Sequence, residues 1–371
     1  MRNQSTSGPR ILQVITGLLE KNGGPIKSAI TLSNIYLANR KADLLTIGPN
    51  DSTTLGNLSS GQVLKLPSVH HNEYGVSAHL IRIRRNCRSH DVIIHHGFYL
   101  ASLFYCLMFA RPQTKLVIMA HGSFQKFSSN RKRFLKKTFN NLFKAFSKRD
   151  LSIVFAAMTV AEVSDIQSYF PDVAISVVGL GFDLEVSKKI QVDTFQPTLL
   201  CLSRIAHKKR IDLCIKALPM VKEKYPNVKL VIAGTGDSDL IKSLSRLTSD
   251  LELKNQVNFV GHVSEKGAFE KLFSDSALLL LPSEDENFAL TVGEAIIRGL
   301  PVVVSRNVGL SPLVDKNNCG VVISSLSEYE LAQAILNGLD NWTYYNDNCL
   351  QNRNLFSHDH VQRKWDLLLG N

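Results

Sequence analysis

The chain has 371 residues, and its 43 lysines and arginines against 32 aspartates and glutamates leave a formal net charge of +11. That length suits two globular domains, and that charge suits an anionic partner: a phosphorylated donor, an acidic lipid surface or a nucleic acid. Six scattered cysteines (Cys87, Cys106, Cys201, Cys214, Cys319, Cys349) form no C-x2-C pair, which argues against zinc, and they read as free thiols of a reducing compartment.

The opening MRNQSTSGPR is polar, unlike a signal peptide, and the longest apolar run, near Tyr99 to Ala110, is about half a membrane span. Ile11 to Ile15 predicts a buried first strand. The loop Thr16 to Gly24 follows, and Pro25 opens a helix at its first turn, where the missing N–H costs nothing. Gly23 and Gly24 make either a flexible helix start or a glycine loop lying against a phosphate or sugar. Leu44 to Ile47, Val63 to Leu66 and Val92 to His95 continue as short strands, with a helix from Val76 to Cys87 whose arginines form a solvated face. His95 and His96 end a strand and point to opposite faces, so they make no metal pair by themselves. Leu116 to Ala120 ends in His121-Gly122, a histidine at a carboxyl edge that is either a hydrogen-bonded structural group or a ligand contact.

From Lys126 to Arg149 there are nine basic residues and no acid. Leu135, Phe139, Leu142, Phe143 and Phe146 form one apolar stripe along this helix. It reads either as a core-facing helix with a solvated basic face or as a docking element for anionic lipid, through Lys132, Arg133, Lys136 and Lys137. No nucleic-acid motif accompanies the charge. Val154 to Met158 and Val173 to Val178 are further strands. The polar stretch Lys188 to Pro197 reads as a linker, after which the α/β alternation starts afresh.

Thr198 to Leu202 predicts a strand ending in SRIAHKKR, and three or four cations in such a loop can neutralise a diphosphate. Lys229 to Ala233 leads into Gly234-Thr235-Gly236. The full G-x-G-x-x-G is absent because Asp239 holds its third position, which argues against a dinucleotide-cofactor domain. Val257 to Val260 leads into Gly261-His262. Ala277 to Leu281 is a charge-free strand, followed by Glu284-Asp285-Glu286. A helical pattern then runs through Leu290, Gly293, Glu294 and Ile297. Gly299 and Pro301 stop it before the strand Val302 to Val304. The loop of this βαβ unit lies at the carboxyl edge of a parallel sheet, where ligands bind. The free N–H groups at the helix start favour an anion, and the flanking glutamates suit neutral hydroxyls, the layout of a sugar nucleotide. An acidic first turn that complements the helix dipole explains the same residues. Asn307 to Leu313 closes the site. Leu331 to Leu339, Trp342 to Arg353 and His358 to Leu369 read as helices.

The run PSEDENFALTVGEAIIRGLPVVVS resembles the signature of retaining GT-B glycosyltransferases of the large family 4, with Glu286 and Glu294 as its E-x7-E pair. Asn287 and Ala289 stand where that family usually has glycine. Arg204-x4-Lys209 is similar to its R-x4-K pair, with Arg210 in place of a customary glycine. Gly23-Gly24 resembles its GG loop, His121-Gly122 its HG step, and Phe259 to Gly261 its F-x-G step. The resemblance spans nearly the whole chain and is most specific after residue 198.

It implies two Rossmann-like domains facing each other across a cleft: residues 1–187 for the acceptor, 198–355 for the donor, and a terminal helix, 356–371, crossing back. It implies metal-independent transfer of a hexose-type unit from a UDP- or GDP-sugar, with retention and no cofactor beyond that donor. Arg204 and Lys209 would hold the diphosphate, Glu286 the sugar and Glu294 the ribose. His121 would lie beside the sugar. Gly23, Gly24, Gly234, Gly261, His262, Asn287, Phe288, Ala289 and Leu290 would line the donor. The acceptor would be a glycan or lipid-linked saccharide of cell-surface polysaccharide synthesis, met by a peripheral enzyme on the cytoplasmic face of the membrane. Two other readings stand beside it: another GT-B enzyme, a sugar phosphorylase or sugar-nucleotide epimerase, or a lipid- or glycan-binding protein without activity. The intact Arg204, Lys209, Glu286 and Glu294 argue against the last.

Overall fold

The structure, a computed structural model, describes residues 8–17, 24–50, 61–68, 74–125, 133–148, 150–183 and 197–370. The chain divides into two compact units, Met1–Leu180 with Val361–Asn371, and Gly181–His360. Gly23 and Lys132, among the residues singled out above, lie outside the described residues, as does nearly all of the linker expected at Lys188 to Pro197.

In the first unit the order is β1 (Ile11–Ile15), α1 (Gly24–Thr31), β2 (Ala42–Ile47), β3 (Val63–Leu66), α2 (Leu80–Ser89), β4 (Val92–His96), α3 (Ala101–Phe109), β5 (Lys115–Met119), α4 (Arg133–Phe146), β6 (Ser152–Ala157), α5 (Val160–Gln167) and β7 (Ala174–Val177). The sheet runs β3-β2-β1-β4-β5-β6-β7, and β1 pairs in parallel with both β2 and β4. The order therefore reverses between β1 and β4, the kind of point where open α/β sheets bind ligands. Every residue of β1 and β4 is buried. Burial on both faces is why these segments are mostly apolar with no alternation, and why their polar residues, Gln13, His95 and His96, are buried too.

Helix α2 starts at Leu80, four residues later than the sequence suggests. Helix α4 uses only part of its expected stripe. Phe143 is buried, and Phe139 and Phe146 pack on the same core, where the Phe98 ring lies 4.9 Å from Phe143 and 5.4 Å from Phe139. Leu135 and Leu142 lie along one edge of the stripe, overhang the packed face, and stay 62% and 46% exposed; Phe134 beside them is 81% exposed.

The second unit contains β8 (Thr198–Leu202), α6 (Ile211–Lys224), β9 (Lys229–Ala233), α7 (Ser238–Asp250), β10 (Val257–Gly261), α8 (Lys266–Ser274), β11 (Leu278–Leu281), α9 (Leu290–Ile297), β12 (Val302–Ser305), α10 (Ser311–Lys316), β13 (Gly320–Ile323), α11 (Glu328–Asp340) and α12 (Trp342–Asn352). Its sheet runs β10-β9-β8-β11-β12-β13, all parallel, and reverses between β8 and β11. Strand β13, three of whose four residues are only partly buried, is not among the strands that the sequence suggests.

Helix α13 (His358–Leu369) begins in the second unit and from Val361 belongs to the first. There Gln362 Nε2 donates to the Tyr36 carbonyl at 3.2 Å, and Arg40 bonds Asp366 at 2.7 Å.

Candidate functional site

Strands β8 and β11 are parallel neighbours, so the loops that follow them leave the sheet side by side. The first loop, Ser203 to Arg210, carries the cations. Ile205 is tied to the next loop by its N–H, which donates to the Thr235 carbonyl at 2.8 Å. Gly234 and Gly236 allow this contact: a Cβ at Gly234 would meet the Ser203 carbonyl oxygen at 1.9 Å, and one at Gly236 the Ile205 oxygen at 2.0 Å. The close approach of two backbones explains these glycines. Gly261, with φ +71, has open space where its side chain would be, and His262 after it is exposed.

A short 3-10 turn, His207–Lys209, then aims the lysines at the second loop. Lys209 Nζ is hydrogen-bonded to Glu286 Oε1. Lys208 Nζ lies 3.6 Å from the same carboxylate oxygen and donates to the Asp285 carbonyl at 3.1 Å. The backbones join as well, since Glu284 N–H donates to the Lys208 carbonyl at 2.7 Å. Arg204 is exposed and has no ion pair among the described residues. Two lysines therefore face one carboxylate, with the exposed Arg204 in the same loop, and the excess positive charge suits a diphosphate. Burial pushes the Lys209 ammonium below its ordinary pKa, and the Glu286 carboxylate pulls it back up.

Arg210 takes a left-handed conformation, φ +51, and pairs with Asp212 at 3.1 Å and Glu284 at 3.5 Å. Ala289, just before α9, is also left-handed at φ +65. Both sites demand the conformation that glycine adopts without strain, and both hold another residue. Glu286 is fixed through its backbone: its N–H donates to the Asn307 carbonyl at 3.1 Å, and its carbonyl accepts from Gly309 N–H at 2.8 Å. The segment expected to close the site does meet this loop. Glu294, one turn inside α9, is 7% exposed. The Phe288 side chain is buried and stacks on Phe182, which also fills the space over Gly293, so this side chain is committed to packing. Asn287 is half-buried and Leu290 begins the helix. Gly299, φ +79, ends α9; a Cβ there would strike Asn346 and Leu350 at 2.9 Å.

In the first unit, Gly24 opens α1, and a Cβ added to it would meet nothing within 4 Å. His121 follows β5 with φ +49, and Gly122 beside it has φ +74. Three buried groups hold this turn, of which sequence reasoning passed over Gln13 and Glu162. His121 Nε2 lies 3.1 Å from His96 Nδ1, and His96 Nε2 lies 3.1 Å from Gln13 Oε1. Glu162, 1% exposed, accepts from Gly122 N–H at 2.9 Å and from Met158 N–H at 2.7 Å. The adjacent His95 points the other way, as the strand geometry requires, to Ser102 Oγ at 2.8 Å. Burial pushes His121 down to about 4 and His96 well below its ordinary value, so both rings are neutral near pH 7.

Of the expected lipid-facing cations, Lys137 is exposed, whereas the Lys136 ammonium sits 4.6 Å from the centre of the Tyr99 ring and is half-buried. Nothing is described of the Arg133 side chain. Among the described residues, no helix is long and apolar enough to cross a membrane. Among them, too, no group of three or more His, Cys, Asp or Glu is placed to hold a metal ion.

Residues 183–353 match the family described as Glycosyl transferases group 1. The alpha-monoglucosyldiacylglycerol synthase of Streptococcus pneumoniae is 31% identical over 157 residues, which are 42% of this chain and 34% of that protein. A GDP-mannose-dependent alpha-(1-6)-phosphatidylinositol monomannoside mannosyltransferase of Mycobacterium tuberculosis is 28% identical over 150 residues, 38% of this chain and 37% of that protein. The match thus spans about a third of the length of these relatives. The crystal structure of Anabaena HepE in complex with UDP covers 97% of this chain and 99% of its own, with a TM-score of 0.79 at 18% identity. The fold is that of GT-B glycosyltransferases, and the resemblance read from the motifs is borne out.

Proposed function

We propose that this chain, a GT-B protein whose residues 183–353 form a group 1 glycosyl transferase domain, is a retaining glycosyltransferase using a nucleotide diphosphate sugar. One observation carries the reading: the cationic loop Arg204 to Arg210 is locked onto the acidic loop Glu284 to Glu286 at the point where the sheet order reverses. Arg204, Lys208 and Lys209 meet the diphosphate, whose charge grows as the sugar departs. Preorganised cations stabilise such a leaving group more than the ground state. Glu286 and Glu294 accept hydrogen bonds from the hydroxyls of the sugar and the ribose. His121 takes a sugar hydroxyl. The motifs offer no obvious protein nucleophile, which favours a front-face route in which the leaving phosphate accepts the acceptor's proton.

The acceptor we propose is lipid-linked, met from the cytoplasmic face of a membrane. Helix α4 supports this: Phe134, Leu135 and Leu142 are exposed on it, and so are Lys137 and Lys144, further round the same helix. A helix that exposes both apolar side chains and cations suits an anionic lipid surface, where each basic group contributes roughly 1 kcal/mol. The names of both curated relatives include a lipid, diacylglycerol in one and phosphatidylinositol in the other.

The test is a panel of UDP- and GDP-sugars screened by thermal shift, then by release of nucleoside diphosphate with glycolipid acceptors. A bound donor stabilises the fold by about 2.7 kcal/mol at a hundredfold excess over Kd. Acceptor-dependent release of nucleoside diphosphate is the expected outcome. Phosphorolysis, sugar epimerisation without an acceptor, or donor binding without turnover would each replace the reading with one of its rivals.

A further inference from the structure

The buried polar line behind His121 has a direction. Gln13, on β1 and 1% exposed, donates from Nε2 to Ser33 Oγ at 2.6 Å. Its Oε1 therefore faces His96, and a carboxamide oxygen can only accept. The proton of neutral His96 must then sit on Nε2, 3.1 Å from that oxygen. This leaves His96 Nδ1 bare, an acceptor for the His121 Nε2–H at 3.1 Å. The two rings are nearly parallel, 11° apart, with centroids at 5.4 Å. Since neutral imidazole carries one proton, His121 Nδ1 is bare as well. Among the described residues it has no hydrogen-bond partner. The backbone holds the ring in place: His121 is left-handed, and Glu162 pins the next N–H at 2.9 Å.

We propose that Gln13 and His96 are positioning residues that fix the tautomer of His121, so that its Nδ1 presents a lone pair to a hydroxyl of the sugar and rejects an anionic group. This rests on the glycosyltransferase reading for the identity of the ligand, but the tautomer itself does not. Ser33, Gln13 and His96 come from three separate elements, and their order of donors and acceptors admits one polarity once the Gln13 amide is oriented as here. A reversed amide would put the proton on His121 Nδ1 and turn the same ring into a donor. Gln13 thus decides, through a second ring, what His121 can bind.

The experiment is nitrogen-15 NMR of histidine-labelled protein without ligand, with the His121 signals assigned by their loss in His121→Asn. In the parent, Nε2 of His121 should carry the proton and Nδ1 should show the shift of a bare ring nitrogen. Gln13→Met removes the acceptor and should move the proton of His121 to Nδ1, or mix the two forms. Gln13→Glu sets a carboxylate against His96 and favours its doubly protonated ring, whose Nδ1–H then donates to His121 Nε2, so this variant too should move the proton of His121 to Nδ1. With a donor sugar that is turned over, Gln13→Met and Gln13→Glu should each lower kcat/KM about tenfold, the worth of one hydrogen bond. A parent His121 protonated on Nδ1, or a Gln13→Met variant with an unchanged pattern, overturns the proposal, and the parent measurement decides even if that variant fails to fold. If the tautomer is as stated but no nucleotide sugar is turned over, the enzyme reading has failed and the relay stands.

Discussion

Lys209 and Glu286, 77 positions apart, are joined by a hydrogen bond between ammonium and carboxylate, each side chain only 13% exposed. The contact makes the cationic and acidic loops one structure. Lys209→Ala should therefore act twice. It should lower kcat/KM by roughly tenfold to a thousandfold, a loss of about 1.4 to 4 kcal/mol of transition-state stabilisation. It should also destabilise the fold by about 1 to 3 kcal/mol, because Glu286 is left half-buried with only Lys208 nearby. Arg204→Ala, at an exposed position with no ion pair among the described residues, should give the kinetic loss without the second effect. Glu286→Gln combined with Lys209→Ala should cost less stability than the sum of the two. Kinetics and urea titration of the four variants check this; additive stability losses would show the pair to be uncoupled.

Ala289 and Arg210 hold left-handed backbone that glycine adopts freely. Ala289→Gly should raise stability by about 1 kcal/mol, the strain of a left-handed residue less the extra chain entropy of glycine. Arg210→Gly should gain less, since it loses the pairs with Asp212 and Glu284. Denaturation midpoints decide; a clear loss at Ala289→Gly would mean that its methyl packs usefully.

Acid should unfold the first unit through its buried histidines. His95 donates from Nδ1 to the Gly97 carbonyl at 2.9 Å and is fully buried, which pushes its pKa down to about 4. The unfolded chain takes up this proton near 6.5, so between about 6.5 and 4 it binds more protons than the folded one. Stability is then full above 6.5 and falls as pH drops through this window, by about 3 kcal/mol from His95 alone. His96 and His121 act in the same direction. Urea titrations at several pH values should show this slope, and His95→Gln should flatten it.

Vesicle binding should depend on both sides of helix α4. Phe134→Ser, at an 81% exposed position, should leave stability within about 0.5 kcal/mol yet weaken binding to vesicles with acidic lipid. Lys137→Gln should weaken it further, and salt should do the same as the screening length falls from about 10 Å at 0.1 M to about 3 Å at 1 M. Lys136→Gln should matter less, because its ammonium already lies on Tyr99. Equal binding to neutral and acidic vesicles, or none to either, would leave an enzyme with a soluble acceptor.

The amino-acid order alone carried the strand Leu278–Leu281, the helix Leu290–Ile297 and the strand Val302–Ser305, because each depends on contacts within a few residues. Apolar runs with no polar face announce strands covered on both sides. Gly299 announces the helix end because only glycine is unstrained at φ +79. The cations at Arg204 to Arg210 and the acids at Glu284 to Glu286 were legible for the same reason, as clusters. Their pairing was not, since it depends on β8 and β11 becoming neighbours although two strands and three helices lie between them in the chain. The relay from Gln13 through His96 to His121 was equally hidden. Its members are separated by 83 and 25 positions, each alone is an ordinary buried polar residue, and only the sheet order β1-β4-β5 sets them in line. Local physics writes its signals into adjacent residues, whereas a hydrogen bond across a sheet depends on which strands the crossovers bring together.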